Sequence, residues 1–388
     1  MYKVFIPFII LLIFISNLAA SEGDEQLKEK ANKLAKEILI VDSHVDLPLY
    51  LMRKDFNVTL ESNDGEFDLP RANKGGLNGA FMSIYTSPRT ENNGAFERAD
   101  TLIDLVEELE NKYPLNFTVA ATPEEIEFNF QKGIFSLPMG LENGSPLEGS
   151  IDKLHHFFNR GIRYITLCHV KDNHVCDSSG DTTNIWNGLS PFGEQVVREM
   201  NKLGIMIDVS HGSDSTFYDV LRISKAPVIA SHSGCRYFTP GFLRNMSDEM
   251  LKALAEKGGV INIFFGTTLL NNDIRNGYEE WRKKRTEYLK INDHAEAQFE
   301  IENPVDPGSI QDVVKHIDHA VKIAGIDHVG IGSDFDGVDL LAPELKDVSM
   351  YPNLIYELLK LGYGDEDIRK IFGGNLLRVW KIIEKNKG

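Results

Sequence analysis

Ile38-Leu39-Ile40-Val41-Asp42 runs directly into Ser43-His44-Val45-Asp46, an apolar stretch that ends in an imidazole and a carboxylate two residues apart. Side chains alternate faces along a strand, so residues two apart point the same way. His44 and Asp46 are therefore expected to leave the end of this strand side by side, as a candidate metal-ligand pair. Taken alone, the pair is more often the ordinary polar end of a strand. What decides is whether other strands end in the same way.

Seven further apolar runs follow, at 79–85, 135–142, 163–169, 205–211, 228–232, 260–265 and 328–334. Between them the hydrophobic period changes to about 3.6 residues, the mark of an amphipathic helix. This predicts helices over 24–37, 95–111, 150–159, 191–203, 213–224, 247–257 and 310–324, with two more closing the chain. Residues 61–78 read as loop, being rich in Asp, Asn, Gly and Pro, and 267–307 as a charged, partly helical insertion. Near-continuous apolar strands separated by helices describe a parallel sheet covered on its outer face. Eight such units predict an α/β fold of the (β/α)8 TIM-barrel type, with an open doubly wound sheet as the alternative. No glycine-rich phosphate loop follows any of the strands, which argues against nucleotide binding.

The chain has 388 residues, 42% of them hydrophobic, which is enough for a large core. A net charge of −17 argues against nucleic acid or an anionic membrane surface as a partner. Residues 1–20 stand apart: Lys3, an apolar run from Val4 to Ile15, then small residues to Ala20. That layout predicts a secretory signal peptide and export to a periplasmic or extracellular space, with residues 21–388 as a single domain. No later stretch is apolar enough for a stable membrane anchor. Cys168, Cys176 and Cys235 are too few to build a disulfide framework; Cys176 and Cys235 fall in loops where they are able to pair.

In a barrel of this type the chemistry sits at the C-terminal ends of the strands. The first strand ends in His44 and Asp46, the third in Glu142, the fourth in His169, the fifth in His211, the sixth in His232 and the eighth in Asp334. Four of the chain's eleven histidines fall at these ends. Imidazoles and carboxylates gathered at one mouth repel and desolvate one another unless a cation offsets them. Zinc takes this mixture of His nitrogen and carboxylate oxygen, and the set is large enough for two ions with Glu142 as the bridge. Two Zn2+ per chain would activate a bridging hydroxide and polarise a carbonyl, so hydrolysis is the expected reaction, with Asp334 handling the proton. Arg244, in the loop after the sixth strand, is placed to fork a substrate carboxylate, although an ordinary ion pair would also explain it. His155, His156, His316, His319 and His328 are read as surface or packing residues, and His174 and His294 lie in loops. Four sequons begin at Asn57, Asn116, Asn143 and Asn245; two adjoin the expected site, so the match is treated as chance.

The ordered series DSHVDLP (42–48), GLENG (140–144), ITLCH (165–169), NGLSPFG (187–193), DVSH (208–211), ASHSGCR (230–236), GIGSDFDG (330–337) and GGN (373–375) resembles the membrane dipeptidases, renal dipeptidase-like metallopeptidases of the amidohydrolase group. The resemblance covers nearly the whole chain after the signal. It implies a dinuclear zinc barrel that hydrolyses dipeptides and tolerates a D-residue at the C-terminal position. Carried over residue by residue, it implies one zinc on His44, Asp46 and Glu142 and the other on Glu142, His211 and His232. His169 would bind substrate and steady the tetrahedral intermediate, Arg244 would grip the substrate carboxylate, and Asp334 would serve the leaving amine. The mammalian members' lipid-anchor tail and disulfide cysteines have no counterpart here, which leaves a non-covalent homodimer as the expected assembly, if any. Two other functions stay open: an amidohydrolase acting on another small amide or lactam, and an exported binding protein without turnover.

Overall fold

A computed structural model of the chain describes residues 23–54, 56–91, 93–292 and 295–388. The signal reading at 1–20 and His294 lie outside the described residues. Ten strands form the sheet: β1 (Ile40–Val45), β2 (Leu77–Tyr85), β3 (Phe117–Thr118), β4 (Phe135–Ser136), β5 (Met139–Glu142), β6 (Ile162–Thr166), β7 (Met206–Asp208), β8 (Ile229–Ser233), β9 (Val260–Ile263) and β10 (Val329–Ile331). The pairing runs β10-β9-β8-β7-β6-β5-β2-β4-β3, with β1 on β2, and every pair is parallel.

The sheet closes where β1 meets the chain leaving β10. Val45 bridges Phe335, Asp46 N–H donates to the Phe335 carbonyl at 2.8 Å, and Asp334 N–H donates to the His44 carbonyl at 3.1 Å. The closed barrel thus uses β1, β2, β5, β6, β7, β8, β9 and β10, the eight apolar runs of the sequence, and the open sheet is excluded. The third run is interrupted at Leu137-Pro138, since proline brings no N–H to a ladder. Its first half, β4, pairs with the start of β2 and carries β3 outside the barrel.

Serines placed one residue before the helices start many of them. Ser190, Ser213 and Ser247 accept hydrogen bonds from the backbone N–H three residues on and cap Pro191–Leu203, Asp214–Ile223 and Asp248–Glu256. Three expectations need correction. The loop-like stretch 61–78 contains the helix Leu69–Gly75, because Asp68 caps it and Pro70 fits its first turn. The stretch between the second and third runs adds β3 and the helix Pro123–Lys132, begun by a Thr122–Glu125 capping box. The chain closes with three helices rather than two, Tyr351–Lys360, Asp365–Arg369 and Asn375–Lys385, the last two joined by a wide turn over Lys370–Gly374. The insertion folds as Thr267–Leu270, Asn272–Leu289 and Glu296–Glu302. Among the described residues no helix is long and apolar enough to cross a membrane.

Val41, Phe81, Tyr164, Met206, Ile229 and Val260 form one buried cluster into which the last helix inserts Trp380. The opposite strand faces join the helices in a second, larger core. Gly140 on β5 is paired with Tyr164 on β6, and a Cβ at Gly140 would lie 2.0 Å from the Tyr164 ring. Gly140→Ala is therefore expected to lower stability by about 1–3 kcal/mol in urea unfolding, as overpacking does; unchanged stability would contradict this packing.

His316, on the helix Ile310–Ala324, is fully buried. Its Nδ1 accepts from Cys235 N–H at 2.9 Å, and its Nε2 faces the Leu270 carbonyl at 2.9 Å. Burial pushes its pKa down to about 3, while the unfolded chain keeps a value near 6.5. Between these values the unfolded state binds the extra proton, so His316 costs stability as pH falls, up to about 1.4 kcal/mol per pH unit. His316→Gln should flatten the slope of unfolding free energy between about pH 6 and 4; an unchanged slope would refute the assignment.

Candidate active site

β1 carries one more residue than β2 between Asp42 and Val45, a bulge that re-aims the strand end. His44 Nε2 and Asp46 Oδ2 then lie 3.5 Å apart, side by side as the spacing implied. Across from them, Glu142 at the end of β5 stands between two groups of imidazoles. Its Oε2 is 3.4 Å from His44 Nε2 and accepts from Ser83 Oγ at 2.9 Å. Its Oε1 is 3.4 Å from His211 Nε2, 3.5 Å from His169 Nε2 and 3.6 Å from His232 Nε2. Asp334 Oδ1 is 3.8 Å from His44 Nε2. The structure thus brings together all seven strand-end residues singled out in the sequence.

Hydrogen bonds on the outer side of the rings set which nitrogen faces inward. Ser231 Oγ gives its proton to Asp208 Oδ2 at 2.6 Å, so it accepts from His232 Nδ1 at 2.8 Å. This leaves the His232 Nε2 lone pair pointing into the cluster. Tyr164 Oη lies 2.7 Å from His44 Nδ1 and holds that ring by its outer nitrogen. Thr166 Oγ1 donates to Asp208 Oδ2 at 2.5 Å and steadies that carboxylate.

The consequence is a set of buried lone pairs with nothing to satisfy them. His44 Nε2 has no hydrogen-bond partner, and His211 Nε2 and His232 Nε2 are 2.9 Å apart. Two neutral imidazoles turned toward each other in this way repel unless a cation or a shared proton lies between them. Ligand atoms of His44, Asp46 and Glu142, of Glu142, His169 and His211, and of His44, His232 and Asp334 lie within 4.8 Å of one another in each group. Nitrogen and carboxylate donors in this arrangement fit a divalent metal, and Glu142 belongs to two of the groups. By distance alone His169 is as close to Glu142 as His211 is, so geometry does not separate a ligand from a substrate-binding imidazole there.

The electrostatics follow from crowding. Burial would raise the Glu142 carboxyl, but His44 and His211 hold it well below the usual range. Burial pushes Asp334 up to about 8, reinforced by Asp46 and Glu142. Burial and the Arg244 cation hold His211 and His232 well below 6.5. Asn143, His211 and Asp334 have φ of 90°, 66° and 65°, left-handed values that cost energy in residues other than glycine and collect at functional sites.

The cluster floors a cavity of about 590 Å³ walled by Leu49, Tyr85, Val170, Phe242, Leu269 and Val338. Arg244 enters it from the loop after β8. Its Nη2 donates to the His232 carbonyl at 2.7 Å, while Nη1 is buried with no acceptor. A larger groove of about 810 Å³, between the helix Asn272–Leu289 and residues 303–309, carries no comparable cluster among the described residues.

The remaining histidines have other partners: His155 with Glu199, His156 with Asp100, His174 with Glu91, His319 with Asp248, and His328 with the Gly259 carbonyl. The Cys176–Cys235 pairing does not form. All three cysteines are free and buried; Cys176 meets the Cys168 thiol, and Cys235 packs on His316. Asn143 and Asn245, in two of the sequons, are buried. Sequence reading missed Tyr164, Ser83 and the Asp208–Ser231 pair. Asp208 and Ser231 lie in DVSH and ASHSGCR, where the only signal was a polar residue inside an apolar strand.

The family model for membrane dipeptidases, peptidase family M19, matches residues 28–388. An uncharacterized dipeptidase of Schizosaccharomyces pombe is 32% identical over 377 residues, covering 92% of this chain and 84% of that one. Among solved structures, the probable dipeptidase PvdM of Pseudomonas aeruginosa superposes with a TM-score of 0.82 at 28% identity, over 93% of this chain and 99% of that one. A metallopeptidase of Rhodobacter sphaeroides, liganded with a phosphinate mimic of the dipeptide L-Ala-D-Ala, gives 0.75 at 26% identity, over 89% and 99%. The match runs through every strand that contributes to the cluster, and the chain belongs to the membrane dipeptidase family as a metal-dependent dipeptidase.

Proposed function

We propose that this protein is an exported dipeptidase that holds two zinc ions and hydrolyses dipeptides, including those with a C-terminal D-residue. The observation that carries the reading is Arg244: a buried guanidinium whose Nη1 lacks an acceptor, facing a cavity floored by the imidazole and carboxylate cluster. A free substrate carboxylate satisfies that donor, and a small amide or lactam without one leaves it buried and unpaired. The L-Ala-D-Ala mimic bound by the Rhodobacter sphaeroides protein supports the D-residue. Export rests on the pattern of residues 1–20.

His44, Asp46 and Glu142 would hold one ion, and Glu142, His211 and His232 the other. When bound, the ions supply an activated water near neutral pH and polarisation of the scissile carbonyl. The chain's own residues do the rest. Arg244 fixes the substrate's carboxylate end and so sets where the peptide bond lies over Glu142. His169, its ring packed edge-on against Tyr85 at 4.9 Å between centroids, donates to the developing oxyanion. Asp334, whose Oδ1 lies 3.8 Å from His44 Nε2, is placed to take the water's proton and return it to the leaving amine.

Arg244→Met is expected to raise KM by about 10-fold or more for free dipeptides and hardly at all for carboxyl-amidated ones; equal effects on both would refute the carboxylate clamp. Tyr164→Phe removes the oxygen that orients His44 and should weaken zinc retention against a competing chelator by about 10–100-fold, the usual effect of losing such a partner. Unchanged retention would show that Tyr164 does not orient the ligand.

A further inference from the structure

The wall of the cavity opposite Arg244 holds a second cation. The helix Leu47–Arg53 leaves β1 directly after Asp46, and Leu49 and Arg53, four residues apart on one face, both line the cavity. Arg53 has no ion pair or hydrogen bond with any described residue. Its neighbour Lys54 is engaged, pairing with Asp64 at 2.6 Å. Arg53 is exposed, so its guanidinium is free to meet a ligand at the mouth.

The topology says which part of a substrate comes near it. Around the closed barrel the order is β1-β2-β5-β6-β7-β8-β9-β10. Arg244 follows β8 and Arg53 follows β1, so only β9 and β10 separate them on one side and four strands on the other, which sets the two cations on facing parts of the rim. The cavity that both arginines line also holds Glu142. A dipeptide with its carboxylate on Arg244 and its peptide bond over Glu142 points its N-terminal residue toward β1. There the α-amine meets Asp46 and Asp334, and the side chain meets Leu49 and Arg53.

We infer that Arg53 selects the N-terminal residue and that the preferred substrates are dipeptides beginning with an acidic residue, Glu or Asp. The inference rests on the dipeptidase reading and names the substrate class of the same site. Leu49 covers the side-chain methylenes, and the guanidinium takes the carboxylate end in a fork. Asp336 and Asp339 also line the cavity. A neutral or basic side chain gains nothing from the cation, and an acidic one without it meets only like charge, so the preference depends on Arg53.

The test is steady-state cleavage of L-Glu-L-Ala, L-Gln-L-Ala and L-Lys-L-Ala, each divided by L-Ala-L-Ala, for the wild type, Arg53→Ala and Arg53→Glu. The wild type should favour Glu over its isostere Gln by about 5–10-fold, chiefly through KM, and the preference should shrink at 0.5 M salt, as a partly exposed ion pair requires. Arg53→Ala should abolish it, and Arg53→Glu should turn it toward Lys. Equal use of Glu and Gln by a wild type that cleaves L-Ala-L-Ala, or a Glu preference that survives both variants, would overturn the role of Arg53 and leave the dipeptidase reading standing. Failure of the metal-loaded wild type to cleave any of the four would overturn both.

Discussion

A carboxylate buried among imidazoles is stable only if something compensates the lone pairs and charges around it, and here that carboxylate is Glu142. Its two oxygens face different partners: one His44 and Ser83, the other His169, His211 and His232. With His211 and His232 turned nitrogen to nitrogen at 2.9 Å, the arrangement is poor as a protein core and good as a ligand set. The rest of the barrel keeps these groups where an unassisted core would expel them.

Barrel closure is the main means. The seam between β1 and the chain after β10 carries backbone hydrogen bonds on Asp46 and Asp334, two of the site's carboxylates. Two residues before His44, the buried Asp42 accepts from His44 N–H, Ser333 N–H and the Tyr351 hydroxyl, at 2.9, 3.0 and 2.5 Å. Ser43 Oγ reaches across to the carbonyls of Ser231 and Ile331. The seam that closes the barrel also positions the first ligands, so fold and site are maintained by the same bonds. The same seam holds the backbone of Asp334 in its left-handed conformation.

The strands and their polar ends were legible because six of the eight apolar runs end abruptly in a residue that a strand does not need, as in Asp208-Val209-Ser210-His211. Hydrophobic period marked the outer helices, a signal that is equally local. What escaped depends on contacts far apart in sequence. Tyr164 orients His44 from 120 residues away, and Asp208 reaches His232 through Ser231. The helix Leu69–Gly75 was hidden by turn-forming residues on either side. The Cys176–Cys235 pairing looked open because loop positions say nothing of distance; in the fold, each thiol is already packed against another partner.

The cluster at the mouth of the barrel is the metal-dependent peptide-cleaving centre. The direct measurement is release of free alanine from L-Ala-D-Ala by the purified chain, with metal content determined on the same sample. Cleavage with about two zinc ions per chain, lost on chelation and restored on adding zinc back, is the predicted result. Failure to bind any divalent metal after reconstitution, or cleavage that survives complete metal removal, would contradict it.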